Sequence, residues 1–367
     1  MILDIVRDNP GFAALAPCWD ALLEQSATRS PFLRWDWMRL WWEEFQPDYE
    51  LAIGVVRDAD GTPLAIAPLM IGSDEDGMRR HLRHIGFLAG LGEVKGERMD
   101  FLVPKGREAE LTPLLCEVFH RLKGEWQAVR LNKLPAESPN VPWIEEALSQ
   151  RFAGTGVMTR APCFCIQLPA SLEELEAQMP TKRRRELTRK RERFAAAHPV
   201  ETGLATPEDA GGLLEEFARL HALHFPEGVS SFLRPASWRF HKKLALQWIA
   251  EGRAMLPYIR ADGKMVGGIY GFVEGDEFFF FQLGWNPEFA NYSMGHLCIR
   301  WAVGCSIDRQ LRLYDMLPGI YRYKSDWAQT SREVLDIEAY EPDSLRAALF
   351  RSARQIKRLL PRPPSAS

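Results

Sequence analysis

GGIYGFVEGDEFFFFQLGWNPEFANYSMGHLCIRWAVGCSIDRQLRLYDMLPGIYRYKSDW, running from Gly267 to Trp327, reads as strand, turn, strand, loop, helix, strand, loop. Gly275-Asp276 divides two apolar runs, Gly267 to Val273 and Glu277 to Leu283, as a hairpin turn does. Phe278 to Phe281 are apolar without alternation, the mark of a strand covered on both faces. From Met294 the apolar positions Met294, Leu297, Cys298, Trp301, Ala302 and Cys305 keep the spacing of a helix with one buried stripe, and Ser293 stands where an N-cap belongs. Glycine inside a helix costs about 1 kcal/mol relative to alanine. Gly295 in the first turn therefore has two readings: it lets an anion approach the free N–H groups closely, or it avoids a neighbouring strand.

Strand Leu311 to Asp315 puts Asp315 on the same face as Leu311 and Leu313. A carboxylate on a core face at a strand end is either ion-paired, with Lys324 as an available cation, or an acid/base group. Thr181 to Phe194, TKRRRELTRKRERF, holds eight Lys or Arg against two Glu, far more than the pair Glu186 and Lys190 offsets. In a chain of net charge −3 this local field calls for an anionic partner; a solvated helix face is the alternative.

Tyr292-Ser293-Met294-Gly295, Tyr314-Asp315 and Tyr323-Lys324-Ser325-Asp326-Trp327 resemble, in this order, the C-terminal half of the GNAT acyltransferase superfamily. The resemblance is to its BioF2-like and CelD-like acetyltransferases, relatives of the Fem-type aminoacyl transferases. Met294 replaces the usual proline, and Met316-Leu317-Pro318-Gly319 replaces a glycine-richer turn. The first half shares the resemblance through Ser30-Pro31-Phe32-Leu33, Trp37 to Trp42, Ala67-Pro68-Leu69 and Asp100-Phe101-Leu102. It implies an α/β (α+β) fold of two tandem GNAT-like domains, each a mixed central sheet flanked by helices. The expected division is a degenerate N-terminal domain over 1–160, an acyltransferase domain over 161–345 carrying the basic helix 181–194, and a C-terminal helix and tail over 346–367.

It also implies acyl-CoA, acetyl-CoA in the first instance, as donor. The donor's pyrophosphate would then lie on the N–H groups of Ser293, Met294, Gly295 and His296, and its pantetheine along the strand edge that includes Gln282 and Gly284. Lys324 would stabilise developing negative charge, Tyr323 would supply a hydroxyl, and Asp315 would complete the catalytic set. Arg183, Arg184 and Arg185 would hold an anionic acceptor. The leading expectation is a cytoplasmic N-acyltransferase acting on an amine or hydroxyl, with a saccharide or envelope precursor as acceptor. A Fem-like transferase using charged tRNA is the alternative motivated by the basic helix, and a non-catalytic component of polysaccharide biosynthesis is the third.

Composition sets the outer bounds. A chain of 367 residues, nearly half of them apolar, exceeds one typical core and suggests two domains. Net charge and a pI near 6.3 argue against a protein built as a whole to bind nucleic acid. No apolar run reaches membrane-spanning length, and Met1 to Pro10 lacks a signal peptide's apolar centre. The six cysteines are scattered in apolar runs without metal-finger spacing, which fits buried reduced thiols in the cytosol and no metal.

Along the rest of the chain, the tryptophan-dense segment Pro31 to Trp42 keeps helical spacing at Trp37, Leu40 and Trp41 and reads as core packing. Leu51 to Arg57 and Pro63 to Ile71 read as two strands of a hairpin, and Arg98 to Val103 as further strand. Ser171 and Glu174 form a capping box. His221 and His224 stand at i, i+3 without a third ligand nearby and read as structural. Asp100 is a weaker candidate for facing the cleft.

Overall fold

The computed structural model describes residues 1–74, 77–225 and 230–359; the expected frayed tail from Pro361 lies outside them. Eleven strands follow one another across a single mixed sheet that runs through both halves. From one edge the order is Tyr49–Leu51, Leu69–Ser73, Arg83–Phe87, Ala128–Pro135, Thr330–Tyr340, Ala153–Gln167, Leu313–Pro318, Glu277–Trp285, Lys264–Glu274, Pro257–Ala261 and Val200–Leu204. Ala254–Met255 adds a short pairing to Lys264–Glu274. A separate three-stranded sheet is made by Ile2–Val6, Ile53–Arg57 and Pro63–Ala67.

The expected strands Leu51 to Arg57 and Pro63 to Ile71 are each broken in two. At Ala52 and at Pro68 the chain passes from one sheet to the other. Both segments are buried on either side of the break, so no change of apolar period marks it. Arg98 to Val103 is not a strand but an irregular segment tied to Pro63–Ala67 by the Ile66 and Leu102 bridge. The helix Trp35–Phe45 buries Trp37, Leu40 and Trp41 as its spacing predicts. Ser171 accepts the N–H of Glu174 at 3.2 Å, while the Glu174 carboxylate reaches one residue further back, to the N–H of Ala170.

The two halves repeat one arrangement. In each, an antiparallel pair is followed by a helix and a strand that returns parallel: Arg83–Phe87 to Ala128–Pro135 through the helix Glu108–Arg121, and Glu277–Trp285 to Leu313–Pro318 through the helix Met294–Asp308. The halves then exchange strands. Ala153–Gln167, which follows the first half, pairs with Leu313–Pro318, and Thr330–Tyr340, which follows the second, pairs with Ala128–Pro135. These two exchanged strands also pair with each other over the span from Ala153 to Cys165, so the expected division near residue 160 falls inside a strand shared by both halves.

Candidate active site

Glu277 to Phe279 pair in parallel with Leu313 to Asp315, and beyond Phe279 the two strands have no further partners in each other. They diverge. The strand Glu277–Trp285 keeps its other ladder, to Lys264–Glu274, out to Trp285, so one edge of Phe280 to Trp285 is left open toward the wedge. A cavity of about 450 Å³ occupies this wedge. Phe280, Phe281, Gln282 and Leu283 line one side, Met316, Leu317 and Pro318 the other, and Tyr321, Tyr323 and Lys324 close it. The first half contributes Glu97.

Lys324 is buried, and its ammonium donates to the carbonyls of Leu317 and Pro318, both at 3.0 Å. Leu317 adopts a left-handed backbone, φ 57°, which turns the strand end toward the lysine. Two of the three ammonium donors are thus used, and one remains for the cavity. Burial lowers the Lys324 pKa to about 8, against the opposing pull of the Glu97 charge. Tyr323 is pushed upward by burial and stays a neutral hydroxyl at ordinary pH.

Glu97 is the group that sequence reasoning does not find. It lies in the loop following Arg83–Phe87, which is held by Gly96 N–H to Ala89 carbonyl (2.7 Å), Ser30 hydroxyl to Glu97 carbonyl (3.1 Å) and Met99 N–H to Lys133 carbonyl (2.9 Å). One carboxyl oxygen of Glu97 is buried with no hydrogen-bond partner. Burial raises its pKa to about 7, with Lys133 and Lys324 pulling the other way. A carboxyl near neutrality in a cavity, facing a lysine that is half deprotonated near pH 8, is an acid/base arrangement. Glu97 sits in a glycine-rich, mixed-charge run, GLGEVKGERMD from Gly90, where nothing distinguishes it from Glu93 or Asp100.

Asp315, expected as a base or as the partner of Lys324, has both carboxylate oxygens engaged elsewhere. Its Oδ1 accepts the N–H of Leu317 at 2.7 Å and its Oδ2 takes Arg332 at 2.6 Å, with Arg332 also held by Glu277. Strand phase puts the carboxylate on the core face, but its cation comes from the exchanged strand Thr330–Tyr340. Asp315→Asn is expected to destabilise the protein by about 1–3 kcal/mol, because it removes one of the two carboxylates that hold Arg332 and leaves Glu277 as the other. Thermal denaturation checks this, with turnover per folded molecule expected to stay near wild type. Asp100 does not face the cavity either. It is buried under Thr28, Asn140 and its own neighbour's N–H, binding first-half loops together.

Leu283 and Trp285 of the open strand edge lie beside the first turn of the helix Met294–Asp308. Ser293 occupies the N-cap position in a left-handed conformation, φ 57°, and its side chain caps nothing. The N–H groups of Met294 and Gly295 consequently have no capping side chain. A Cβ at Gly295 would touch only Trp285 and Leu283, at 3.6 and 3.7 Å, so strand avoidance does not require glycine there. Gly284 is different. A Cβ on it would lie 2.8 Å from the backbone of His221, so this glycine serves the packing of the helix Ala210–His224 on the sheet. Met294 is fully buried, backbone included, whereas Ser293, Gly295 and His296 are partly exposed.

His296 is neutral. Burial lowers its pKa to about 4, reinforced by the Arg183 charge. Trp327 Nε1 donates to His296 Nδ1 at 3.0 Å, and Arg183 stands 2.9 Å from the same ring and 3.2 Å from Asp326. Arg183, expected on the acceptor side, therefore belongs beside the helix N-terminus. Arg184 and Arg185, with Lys182 and Arg189, make no ion pair among the described residues. His221 is held between the Leu283 carbonyl and the Ser230 hydroxyl. Among the described residues no group of three His, Cys, Asp or Glu is placed to hold a metal, and no helix is long and apolar enough to cross a membrane.

Residues 181–325 match the sequence profile of the acetyltransferase (GNAT) domain. Curated protein sequences give no match. Among solved structures, the crystal structure of FemX superposes with a TM-score of 0.63 at 11% identity, covering 96% of this chain and 99% of that one. The C-terminal domain of a putative lysylphosphatidylglycerol synthetase from Agrobacterium fabrum gives 0.54 at 11% identity, over 95% and 97% of the two chains. A tandem GNAT protein from the clavulanic acid biosynthesis pathway gives 0.51 at 14% identity, over 94% and 100%. Such identities speak to architecture. The chain has a Fem-like GNAT-type fold, built as two GNAT-like domains in tandem, and the family match lies in its second half.

Proposed function

We propose that the protein is an N-acyltransferase that moves an acyl group, acetyl in the simplest case, from acyl-CoA to an amine or hydroxyl of a saccharide or cell-envelope precursor in the cytoplasm. The observation that carries this reading is the wedge between the diverging strands, with Glu97 and Lys324 on its walls and an uncapped helix N-terminus beside Leu283 and Trp285 of its open edge. The open edge of Phe280 to Trp285 suits the amides of an extended pantetheine. The N–H of Gly295 at the helix N-terminus, with Arg183 nearby at His296, suits a pyrophosphate. Glu97 takes the proton from the acceptor as its lone pair attacks the thioester carbon. Lys324 faces the oxyanion so formed, and its collapse breaks the carbon–sulfur bond, releasing the thiol after protonation.

Isothermal calorimetry with acetyl-CoA tests the donor site. Gly295→Glu is expected to weaken binding at least about tenfold, because bulk and negative charge then meet the helix N-terminus. Gly295→Ala, which has room, should bind as wild type. Equal affinity in all three folded proteins would remove the helix from the donor site.

One observation favours a second reading, in which the donor is an aminoacyl-tRNA. Lys182, Arg184, Arg185 and Arg189 exceed what the phosphates at one helix N-terminus need. If this donor is correct, tRNA binding shows a steep salt dependence, and Arg184→Gln with Arg185→Gln lowers its slope by roughly one for each phosphate no longer neutralised. Acetyl-CoA binding without tRNA binding decides for the first reading.

A further inference from the structure

The C-terminal helix Leu345–Leu359 holds five Lys or Arg and no Asp or Glu in 15 residues. Its inward side is already satisfied: Ala347 and Phe350 are buried against Leu82, Ala128 and Tyr340. Arg354 pairs with Glu338, and Arg351 lies over the Tyr340 ring. The outward side is not. Leu345 is 82% exposed and Leu349, one turn on, 71% exposed. Beside the leucines an open groove of about 530 Å³ is lined by His81, Leu82, Arg346, Leu349, Phe350 and Ala353.

Among the described residues that line this groove no side chain is acidic. Arg346 and Arg80 make no ion pair with a carboxylate among the described residues, whereas Arg79 is taken by Glu338 and Arg83 by Glu50. The nearest exposed carboxylate at the start of the helix, Asp343, is engaged by Lys123. An apolar row flanked by arginines, in a chain of net charge −3, is the pattern of a helix that lies in the plane of a bilayer surface. We propose that this face seats the protein on the headgroup region of an anionic lipid membrane, with Leu345 and Leu349 entering the acyl boundary and the arginines meeting lipid phosphates. Charge complementarity selects this occupant: a basic flank gains from every anionic lipid beneath it, while leucines alone would serve any apolar surface.

Co-sedimentation of the full chain with vesicles tests it. The protein is expected to pellet with phosphatidylcholine–phosphatidylglycerol vesicles at least about tenfold more than with pure phosphatidylcholine, and to be released by salt. The double variant Leu345→Glu, Leu349→Glu should lose this binding, as should the uncharged Leu345→Ser, Leu349→Ser, with circular dichroism confirming that each is folded. Failure of the wild type to bind anionic vesicles overturns the proposal, as does undiminished binding by both folded variants. A wild-type dimer that the leucine variants convert to monomer in sedimentation velocity also overturns it, since a second copy would then be what covers the face.

Discussion

Glu97→Gln is expected to lower kcat by roughly 10² to 10⁴, the usual worth of a positioned proton acceptor, while leaving donor affinity unchanged. The wild-type pH profile should be bell-shaped. Glu97 must be ionised, which sets an acidic limb near 7, and Lys324 must be protonated, which sets an alkaline limb near 8. In Glu97→Gln the acidic limb disappears. The alkaline limb moves lower, because the Glu97 charge is one of the influences holding the lysine pKa up. The same variant should be more stable than wild type. Glu97 has a higher pKa folded than unfolded, so its favourable contribution is complete below its ordinary value of 4.5 and is lost as pH rises through about 7. Above that, the difference corresponds to about 3 kcal/mol, read as a higher Tm for the variant at pH 8 and convergence near pH 4. Slower but sturdier is the signature of a carboxylate kept for chemistry; a variant that is merely less stable would make Glu97 a packing residue.

Lys324→Met is expected to reduce kcat by about 10² to 10³ with a small change in KM, because an interaction made with developing oxyanion charge adds little to ground-state binding. The alkaline limb should vanish from its profile. The acidic limb should rise above 7, since the lysine charge no longer favours ionised Glu97. A pure KM effect would move Lys324 from chemistry to substrate holding. The carbonyls of Leu317 and Pro318 lose their donor in this variant, so the comparison with Lys324→Arg, which keeps a cation, separates charge from loop support.

The hairpin around Gly275 and the helix Met294–Asp308 are legible in the sequence because their periods are local: each turn of pattern is answered within a few residues. Lys324 is legible only through its resemblance to the Fem-like Tyr-Lys element. What the sequence hides depends in each case on partners distant along the chain. Strand phase places Asp315 correctly, yet whether a core-facing carboxylate is a base or half of an ion pair rests on Arg332 in the exchanged strand. Arg183 to Arg185 read as one surface, whereas helical rotation sends Arg183 to His296 and leaves Arg185 exposed. Glu97 has no periodic element around it. Its meaning arises when a first-half loop meets a second-half strand end.

The strand exchange governs how such a cavity can open. Where two domains meet across a linker, a cleft between them widens by hinge motion, and catalytic groups from opposite walls part and reunite with each turnover. Here the walls are joined by a ladder in which each half carries the other's strand, so parting Glu97 from Lys324 by a rigid-body swing would break the ladder between Ala153–Gln167 and Thr330–Tyr340. Admission and release are therefore left to a segment that is not laddered, Gly319 to Tyr321, where Ile320 is 81% exposed. For an engineer this makes the two halves inseparable as expressed pieces, since a cut between them strands a long unpaired edge on each. Broadening the acceptor range is then a matter of exchanging that one segment, on a frame that keeps Glu97 and Lys324 at fixed separation.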